Sequence, residues 1–306
     1  MPLLNEVLKR SGKLKLDFQA SGVAYPKKGD MMAKIILPLA KSRGLRSLSL
    51  NVTPKRTKEI LLLPAGSLGA MEEVTLTTSE FEKMRPGDFH VFDNPKGLRK
   101  VTFETDYDSS RTPLFPSFPL PLNWPWPQLT FLDFKTLYMN VKVAHEVVKL
   151  CPNLCEIYVL LDDDDDGNDG KTVEPERLAA LPVHSPSSIP LPKLRKIGVE
   201  KSNGLPTEFL RPLDCPGLEQ FDFRFQEHRP DQWSPTELVA FLARSTSLKW
   251  AKATFPGEIE IGLLGSDLPF LTDIQASKTI LSQSTMKSMV RGELLPKLRA
   301  LSLAIT

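Results

Sequence analysis

Six consecutive residues, Asp162–Gly167, form the densest run of side chains in the chain that could bind a metal ion. Alternate aspartates in this run have the spacing with which a calcium-binding EF-hand loop begins. Such a loop needs a bidentate glutamate at its twelfth position, but Val173 occupies that position and Glu174 follows one residue too late. We therefore predict a solvated acidic loop at this point and no metal site.

The cysteines and histidines do not form a set with a recognisable chemistry. Cys151 and Cys155 are four residues apart, but no second pair follows at the spacing of a zinc site. Cys151 and Cys215 each precede a proline in the same repeated pattern, which predicts small buried thiols. The four histidines are scattered: His90, His145, His184 and His228. We predict no catalytic residue, no metal and no cofactor, the alternative being a hydrolase whose site assembles from proline-rich loops.

Composition and charge favour an ordinary globular protein inside the cell. Of the 306 residues, 41% are hydrophobic and 25% are charged, and the net charge is only +2. This balance does not favour a nucleic acid or a membrane as partner. We find no secretory signal, and the longest apolar stretches are too short to span a bilayer. The expected location is the cytoplasm or the nucleus.

The pattern leucine-x-x-apolar-x-apolar occurs ten times and organises the whole chain. Its mean period is about 28 residues, within the range of leucine-rich repeats. The first residues of the ten copies are Leu45, Met71, Leu98, Leu129, Leu154, Leu194, Leu218, Leu248, Leu271 and Leu298. The prediction is an α/β leucine-rich-repeat solenoid (horseshoe) of about ten irregular repeats, with a parallel inner sheet and outer helices.

Local signals predict how each repeat is built. Apolar and polar residues alternate after each leading leucine, as in a half-buried strand. Residues 141–150 have helical spacing, and Ser234 to Glu237 resembles the capping box of another helix. In six repeats a proline stands two residues before the leading leucine, where it ends the helix and begins an extended segment.

The repeats are predicted to form one continuous domain, residues 1–306. Residues 1–44 are assigned to an N-terminal cap with a first degenerate repeat, and residues 45–306 to the repeats. The two longest intervals between repeats predict inserted surface loops near 104–127 and 161–192.

The outward side chains of the strands are the predicted binding surface. Phe131, Tyr158 and Trp250 are aromatic residues on a face that is otherwise mostly polar, and Lys196 and Arg224 lie on the same face. Aromatic residues and arginine dominate protein-binding hot spots, so we predict a protein client on this concave strand face. For Trp250 a register slip stays open, because Ala251 and Ala253 are small for inward positions and the tryptophan would then be core.

Short phrases give the chain a resemblance to a known family. They are Trp126-Pro-Gln-Leu-Thr-Phe-Leu-Asp-Phe134, Leu150-Cys-Pro-Asn-Leu154, Leu191-Pro-Lys-Leu194 and Phe241-Leu-Ala-Arg-Ser245. In this order they resemble fungal F-box proteins with degenerate, ribonuclease-inhibitor-like leucine-rich repeats. The resemblance implies the substrate-recognition region of a ubiquitin-ligase receptor, in which an F-box binds a Skp-type adaptor and the repeats bind the client.

One part of that family pattern is missing. Residues 8–16 already resemble the segment that follows an F-box, so the F-box itself is expected to be absent from this chain. A Skp-type adaptor is then a partner only if an F-box is present upstream. The alternative is a general repeat adaptor unrelated to ubiquitin.

Overall fold

The structure is a computed structural model, in which part of the chain can be described. The described residues are 6, 15–21, 45–51, 60–61, 63–64, 66–77, 91–92, 96–105, 124–161, 188–201, 207–225, 235–265 and 268–304. The chain divides into two compact units, Met1–Leu137 and Tyr138–Thr306. Whether the repeats form one continuous domain stays a prediction.

Unit 1 contains five parallel strands that pair in chain order. They are β1 (Leu16–Ser21), β2 (Leu45–Asn51), β3 (Glu73–Thr77), β4 (Lys100–Glu104) and β5 (Phe131–Met139), whose first seven residues belong to this unit. A 3₁₀ turn, Trp126–Gln128, leads into β5. The strand β1 adds a pairing partner ahead of the first predicted repeat, within the segment assigned to the cap.

Unit 2 contains a parallel ladder with helices between its strands. The ladder strands, in pairing order, are β6 (Glu156–Leu161), β8 (Lys196–Lys201), β10 (Gln220–Phe225), β11 (Trp250–Glu260), β12 (Asp273–Ile280) and β13 (Ala300–Ala304). The helices are α1 (Val141–Leu150), α2 (Thr207–Leu210), α3 (Pro235–Arg244), α4 (Ile261–Gly265) and α5 (Gln283–Val290). A second, short parallel pair consists of β7 (Ile189–Pro190) and β9 (Leu213–Asp214).

The apolar residues of successive repeats are in register, which is the defining feature of a leucine-rich-repeat stack. In unit 1 the fourth residues of the pattern pair across the sheet, in the order Leu48, Val74, Val101 and Leu132. In unit 2 the corresponding row is Ile157, Ile197, Phe221, Ala251, Ile274 and Leu301. Both units therefore have the strand stack of the predicted leucine-rich-repeat fold, with a core beneath the strands built from these rows. The helices between the strands of unit 2 make the chain α/β.

The proline before a leading leucine occupies the second position of a tight turn. In the turn that starts at Cys151, the N–H of Leu154 donates to the carbonyl of Cys151 at 3.1 Å. The same bond closes the turns before Leu129, Leu194, Leu218, Leu271 and Leu298. Proline suits this position because its fixed φ matches the second residue of such a turn. The proline therefore marks the same point before each of these strands. The prediction that it ends a helix holds directly for α1. It is wrong before Leu194 and Leu218, where the short strands β7 and β9 precede the turn.

Backbone hydrogen bonds tie each repeat to the next one immediately after the leading leucine. The carbonyl of Arg195 accepts the N–H groups of both Glu219 and Gln220, at 2.8 and 2.9 Å. The carbonyl of Lys249 accepts from Thr272 and Asp273 in the same way. Because this bond depends only on the backbone, the stacking tolerates the irregular lengths of the connections.

Two helix predictions are confirmed in position. The helix α1 covers residues 141–150, and the side chain of Asn140 caps it by accepting from the N–H of Lys142 at 2.8 Å. The helix α3 begins at Pro235, but Ser234, the predicted cap, lies outside the described residues. Glu237 hydrogen-bonds instead to Thr207 and Arg211 of the preceding repeat.

One predicted surface loop ends in the core. Most of the interval near 104–127 lies outside the described residues, but Trp124 and Trp126 at its end are 5% and 4% exposed. Their rings stack at 5.0 Å, and Trp124 meets Phe92 and Phe103 edge to face. These aromatic rings add apolar volume to the core of unit 1 beside β4, which contains Phe103.

Candidate functional site

Two of the three cysteines do not provide a reactive thiolate. Cys151 and Cys215 are buried, and burial raises the pKa of both thiols to about 12. A thiol attacks an electrophile or binds a metal as the thiolate, which is scarce at neutral pH when the pKa is so high. The prediction of small buried thiols at these two positions is confirmed.

His145, on α1, is a packing residue. Its ring stacks on Phe209 of α2, with the centroids 5.4 Å apart and the planes 11° apart. Its Nε2 lies 3.0 Å from the carbonyl oxygen of Phe209, to which it can donate. Burial lowers the pKa of His145, so the ring stays neutral at physiological pH.

The remaining residues that could carry chemistry cannot be placed. The acidic run Asp162–Asp166 and the other three histidines, His90, His184 and His228, lie outside the described residues. Within the described part of the chain, no group of three or more His, Cys, Asp or Glu side chains could hold a metal ion. Among the same residues, no helix is both long and apolar enough to cross a membrane.

Unit 2 brings four of the five predicted site residues onto one surface. We call this surface the unit 2 strand face and define it by the outward residues of β6, β8, β10 and β11: Glu156, Tyr158, Lys196, Gly198, Glu200, Gln220, Asp222, Arg224, Trp250, Lys252 and Thr254. Successive side chains of a strand point to opposite faces, and the alternate residues of these strands are buried beneath the sheet. The predicted residues on this face are Tyr158, Lys196, Arg224 and Trp250.

Tyr158 is the most constrained side chain of this face. Its partner in the register of the neighbouring strand is Gly198. A Cβ atom on Gly198 would lie 2.4 Å from Cδ1 of Tyr158 and 3.0 Å from Cε1. The tyrosine ring therefore crosses from β6 to β8 and lies directly on the glycine backbone, at a distance that no other residue type would permit.

Lys196 holds the same ring from a second side. Its ammonium nitrogen lies 5.4 Å from the centroid of the Tyr158 ring, within the range of a cation–π contact. A hydrogen bond to the Tyr158 hydroxyl, followed by attraction from Glu156 and Asp222, raises the pKa of Lys196. Lys196 is therefore charged at any physiological pH, and Tyr158 is held in place by both Gly198 and Lys196.

Arg224 is oriented by two carboxylates. Its Nη2 and Nε atoms donate to the two oxygens of Asp222, at 3.0 and 3.3 Å, and its Nη1 lies 4.0 Å from Glu200. Both acidic residues lie on the unit 2 strand face, so carboxylates of the same face balance the positive charge of the guanidinium. Its planar group is nevertheless half exposed and can stack on or bond to a partner.

Trp250 lies on the strand face and not in the core. It pairs with Gln220 and Asp273, whereas Ala251 and Ala253 pair with the buried Phe221 and Phe223. The register slip that would have buried Trp250 is therefore absent. The consequence is a core with two alanines at inward positions, and a half-buried indole on the polar side.

Phe131 lies in unit 1 and is described there alone. It is the first residue of β5, is half-buried, and pairs with Lys100 of β4. Lys100 in turn forms an ion pair of 2.9 Å with Glu73. Phe131 thus follows a charged pair in the outward row of unit 1, and its role as a contact residue stays a prediction.

Two outward strand positions are covered. Asp133 in β5 and Leu160 in β6 alternate with inward residues, but both are only 6% exposed. Asp133 accepts a hydrogen bond from the N–H of Lys135 at 3.1 Å and pairs with its ammonium at 3.2 Å. Alternation along a strand fixes which face a side chain is on, but it does not say whether another segment covers it.

Gly198 is the functional position that sequence reasoning missed. Alternation along β8 identifies it only as an outward position. The available signal was the combination of a glycine at an outward strand position with a tyrosine at the register partner in the preceding ladder strand, since an aromatic ring commonly covers such a glycine.

The charges of the unit 2 strand face are balanced. Three basic residues, Lys196, Arg224 and Lys252, accompany three acidic residues, Glu156, Glu200 and Asp222. Arg224 and Lys196 already interact with groups of the face itself. Aromatic rings mixed with paired charges are typical of a protein interface.

The comparisons with known proteins show limited similarity. No family model matches the sequence, and no curated protein matches it. Among solved structures, the chain is similar to an internalin (inlF) from Listeria monocytogenes, at 13% identity and a TM-score of 0.41, covering 88% of this chain and 64% of the internalin. It is also similar to TLR13 in its complex with ssRNA13, at 15% identity and a TM-score of 0.39, covering 95% and 38%. The chain spans less than two thirds of either structure.

Proposed function

We propose that this protein is an interaction scaffold that binds a protein client on the unit 2 strand face. The observation that carries the proposal is the fixed position of Tyr158, which lies on Gly198 and is held by Lys196. A rigid aromatic ring loses little conformational entropy when a partner packs on it, which is why such rings dominate binding energy.

Trp250 and Arg224 complete the proposed contact. In the outward row that contains Lys196, Trp250 lies two strands further along, which is roughly 10 Å at the usual spacing of strands. Arg224 lies on the intervening strand β10. Arg224 is four residues beyond Gln220, the residue of β10 that pairs with both Lys196 and Trp250. A client that covers these strands would therefore meet two aromatic groups and, further along β10, a guanidinium.

The experiment compares two matched sets of variants. Proteins that co-purify with the chain are identified, and the affinity of the purified client is measured. Tyr158→Ala and Trp250→Ala should each weaken binding by at least about thirty-fold, since each hot-spot truncation costs at least about 2 kcal/mol, and the double variant should bind more weakly than either. Phe270→Ala is the control, because Phe270 is an aromatic residue of unit 2, 47% exposed, in the turn before a leading leucine.

The opposite pattern would overturn the proposal. A client that binds the double variant as tightly as it binds the wild type does not use this face. A client lost only by Phe270→Ala would assign recognition to the turns.

The sequence resemblance supports a narrower form of the proposal, in which the client is a substrate of an F-box-type ubiquitin ligase in the cytoplasm or nucleus. Deletion of the gene, or replacement by the Tyr158→Ala/Trp250→Ala form, should then lengthen the half-life of the client. An unchanged half-life would favour a repeat adaptor unrelated to ubiquitin.

The adaptor is tested separately. Because the F-box is expected to be absent from residues 1–306, a Skp-type adaptor should not co-purify with this chain. Stable binding of the adaptor to residues 1–306 would show that the expectation of a missing F-box is wrong.

A further inference from the structure

Lys252 differs from the other basic residues of the unit 2 strand face in the partners of its ammonium group. Lys196 binds the ring of Tyr158, and Arg224 bonds to Asp222. The ammonium of Lys252, in contrast, forms no hydrogen bond or ion pair within the part of the chain that the structure describes. Its side chain is half-buried, and a charge that is partly removed from water is costly unless an opposite charge accompanies it. The site therefore favours an anionic group of a partner.

The register partners of Lys252 leave that position to a partner. Asp222 of β10 lies on one side, but its two oxygens already accept from Nη2 and Nε of Arg224, at 3.0 and 3.3 Å. Gln275 of β12 lies on the other side and is exposed. An amide group has two N–H donors. A carboxylate placed over β11 would thus accept from Lys252 and Gln275 together.

Trp250 lies beside Lys252 on the same face of the same strand. The two residues alternate along β11, so their Cα atoms are roughly 7 Å apart. The indole of Trp250 is half-buried, and its exposed part offers an apolar surface to a partner. Alternate residues of an extended segment have the same spacing. A segment that lies along β11 can therefore place a carboxylate on Lys252 and an apolar side chain on Trp250.

The acidic residues beside this position limit the charge of the anion. Asp222 is the register partner of Lys252, and Asp273 is that of Trp250. A phosphate group carries up to about two negative charges, which these carboxylates would repel and one ammonium would not balance. A carboxylate carries a single charge, which Lys252 alone neutralises. The charges therefore favour an acidic side chain over a phosphate.

We propose that Lys252, Gln275 and Trp250 form a subsite for an extended client segment that carries an aspartate or glutamate and, as its alternate neighbour, an apolar residue. The acidic side chain binds Lys252 and Gln275, and the apolar one packs on Trp250. This inference rests on the proposed function, since it assigns the chemistry of the client. It also extends the contact from the unit 2 strand face to β12, which contains Gln275.

Selection from a displayed library of short random peptides, with the full chain as bait, tests the subsite. The wild type should enrich peptides in which an acidic residue alternates with an apolar one. Lys252→Glu should lose this preference and enrich lysine or arginine instead, which also shows that the variant is folded. Lys249→Glu is the matched control, because it changes the net charge equally but Lys249 already pairs with Glu219 at 3.2 Å. It should select the same acidic peptides as the wild type.

A synthetic peptide from the wild-type selection measures the contact itself. Replacing its acidic residue by the corresponding amide should weaken binding to the wild type by about ten-fold or more, the usual effect of losing a hydrogen bond to a charged group. The same replacement should leave binding to Lys252→Met unchanged, because the ammonium is already absent. Equal losses for the two proteins would overturn the subsite.

The other outcomes separate this inference from the proposed function. Peptides that lose binding to Trp250→Ala but show no preference for acidic residues, or keep that preference with Lys252→Glu, overturn the subsite and leave the strand face as the client surface. Peptides that bind Lys252→Glu and Tyr158→Ala/Trp250→Ala as tightly as the wild type contradict both. A wild type that enriches no peptide overturns the extended segment, whereas the co-purified client still tests the face.

Discussion

The ring of Tyr158 lies on the backbone of Gly198, so close that a methyl group on the glycine would come within 2.4 Å of Cδ1. The two residues are register partners on adjacent parallel strands. The missing side chain of one residue is thus the space that the other occupies. The position of the Tyr158 ring therefore depends on the absence of a side chain at residue 198.

The first prediction follows from that pair: the effect of Gly198→Ala on stability should change sign when Tyr158 is replaced by alanine. In the wild-type background, Gly198→Ala should destabilise the protein, because the ring must leave its place. In the Tyr158→Ala background the same change should stabilise it by roughly 0.5–1 kcal/mol, the usual gain when alanine replaces glycine within a strand. Chemical denaturation of the four proteins gives the coupling free energy, which we expect to be about 1–2 kcal/mol.

Tyr158→Phe is the control for this cycle. It keeps the ring and removes only the hydroxyl that accepts from Lys196, so Gly198→Ala should still destabilise the protein in the Tyr158→Phe background. Additive effects in the alanine cycle would show that the ring does not depend on the glycine.

The second prediction concerns the core behind Trp250. Because Ala251, Ala253 and Ala276 occupy inward positions, a small apolar cavity of about 20 Å³ lies among Phe221, Leu238, Leu271 and their neighbours. Ala253→Val adds two methyl groups there and should stabilise the protein by about 1 kcal/mol, as cavity filling commonly does. Thermal or chemical denaturation measures the change.

Ala253→Thr distinguishes stabilisation by filling the cavity from stabilisation by the higher strand propensity of a β-branched residue. Threonine has nearly the shape of valine, but its hydroxyl would enter a cavity lined by apolar side chains without a partner. The threonine variant should therefore be less stable than the valine variant by about 1–2 kcal/mol. Equal stabilities would mean that the side chain at this position does not enter the cavity.

The rows of inward residues could be predicted from sequence because they depend on a local and repeated signal. Alternation along each strand fixes the pattern from Leu48 to Leu132 and from Ile157 to Phe221. In the repeats of Leu132, Ile157, Ile197 and Phe221, a turn with proline in the second position adds a further signal. Both signals lie within a few residues of the strand that they determine. The helix α1 was predictable for the same reason.

The features that could not be predicted depend on contacts between repeats. Three such features are the burial of Asp133 and Leu160, the position of Trp124 in the core, and the packing of Tyr158 on Gly198. Each depends on which segment of the chain lies over which strand. The connecting segments vary in length from repeat to repeat, so the repeat pattern does not specify these contacts. The sequence predicted which residues point outward, but not which of them are buried by neighbouring segments.

The third prediction is a loss of stability on mild acidification caused by His145. Its pKa is lowered from 6.5 chiefly by burial against α2, so the unfolded chain binds the proton first as the pH falls. The contribution of the neutral ring is complete above pH 6.5 and is lost as the pH falls toward the lowered pKa. Melting temperatures measured between about pH 7.5 and about pH 5.5 should therefore fall.

His145→Phe keeps an aromatic ring against Phe209 but cannot be protonated. Its melting temperature should be lower at neutral pH, since the bond to the carbonyl of Phe209 is lost, but should change less over the same range. Parallel curves for the two proteins would assign the acid sensitivity to other groups.

The fourth prediction concerns Glu260, the last residue of β11, whose carboxylate joins two helix starts. Its Oε1 accepts from the hydroxyl of Thr285 at 2.5 Å and from the N–H groups of Ser282 at 3.3 Å and Gly262 at 3.5 Å. These bonds, with that of Thr285 the largest cause, hold the pKa of Glu260 below 4.5. The stabilisation is present above pH 4.5 and is lost as the pH falls through the lowered value.

Glu260→Gln isolates this contribution. The amide oxygen can still accept one or two of the bonds but carries no charge, so the variant should be less stable than the wild type near neutral pH. Below the lowered pKa the wild-type carboxyl is also neutral, and the two stabilities should converge. Because Ser282 caps α5 through the N–H of Thr285, the loss should appear first as increased amide exchange in α5, ahead of global unfolding. A constant difference between the two proteins from neutral to acidic pH would show that the charge of Glu260 plays no part in holding α5.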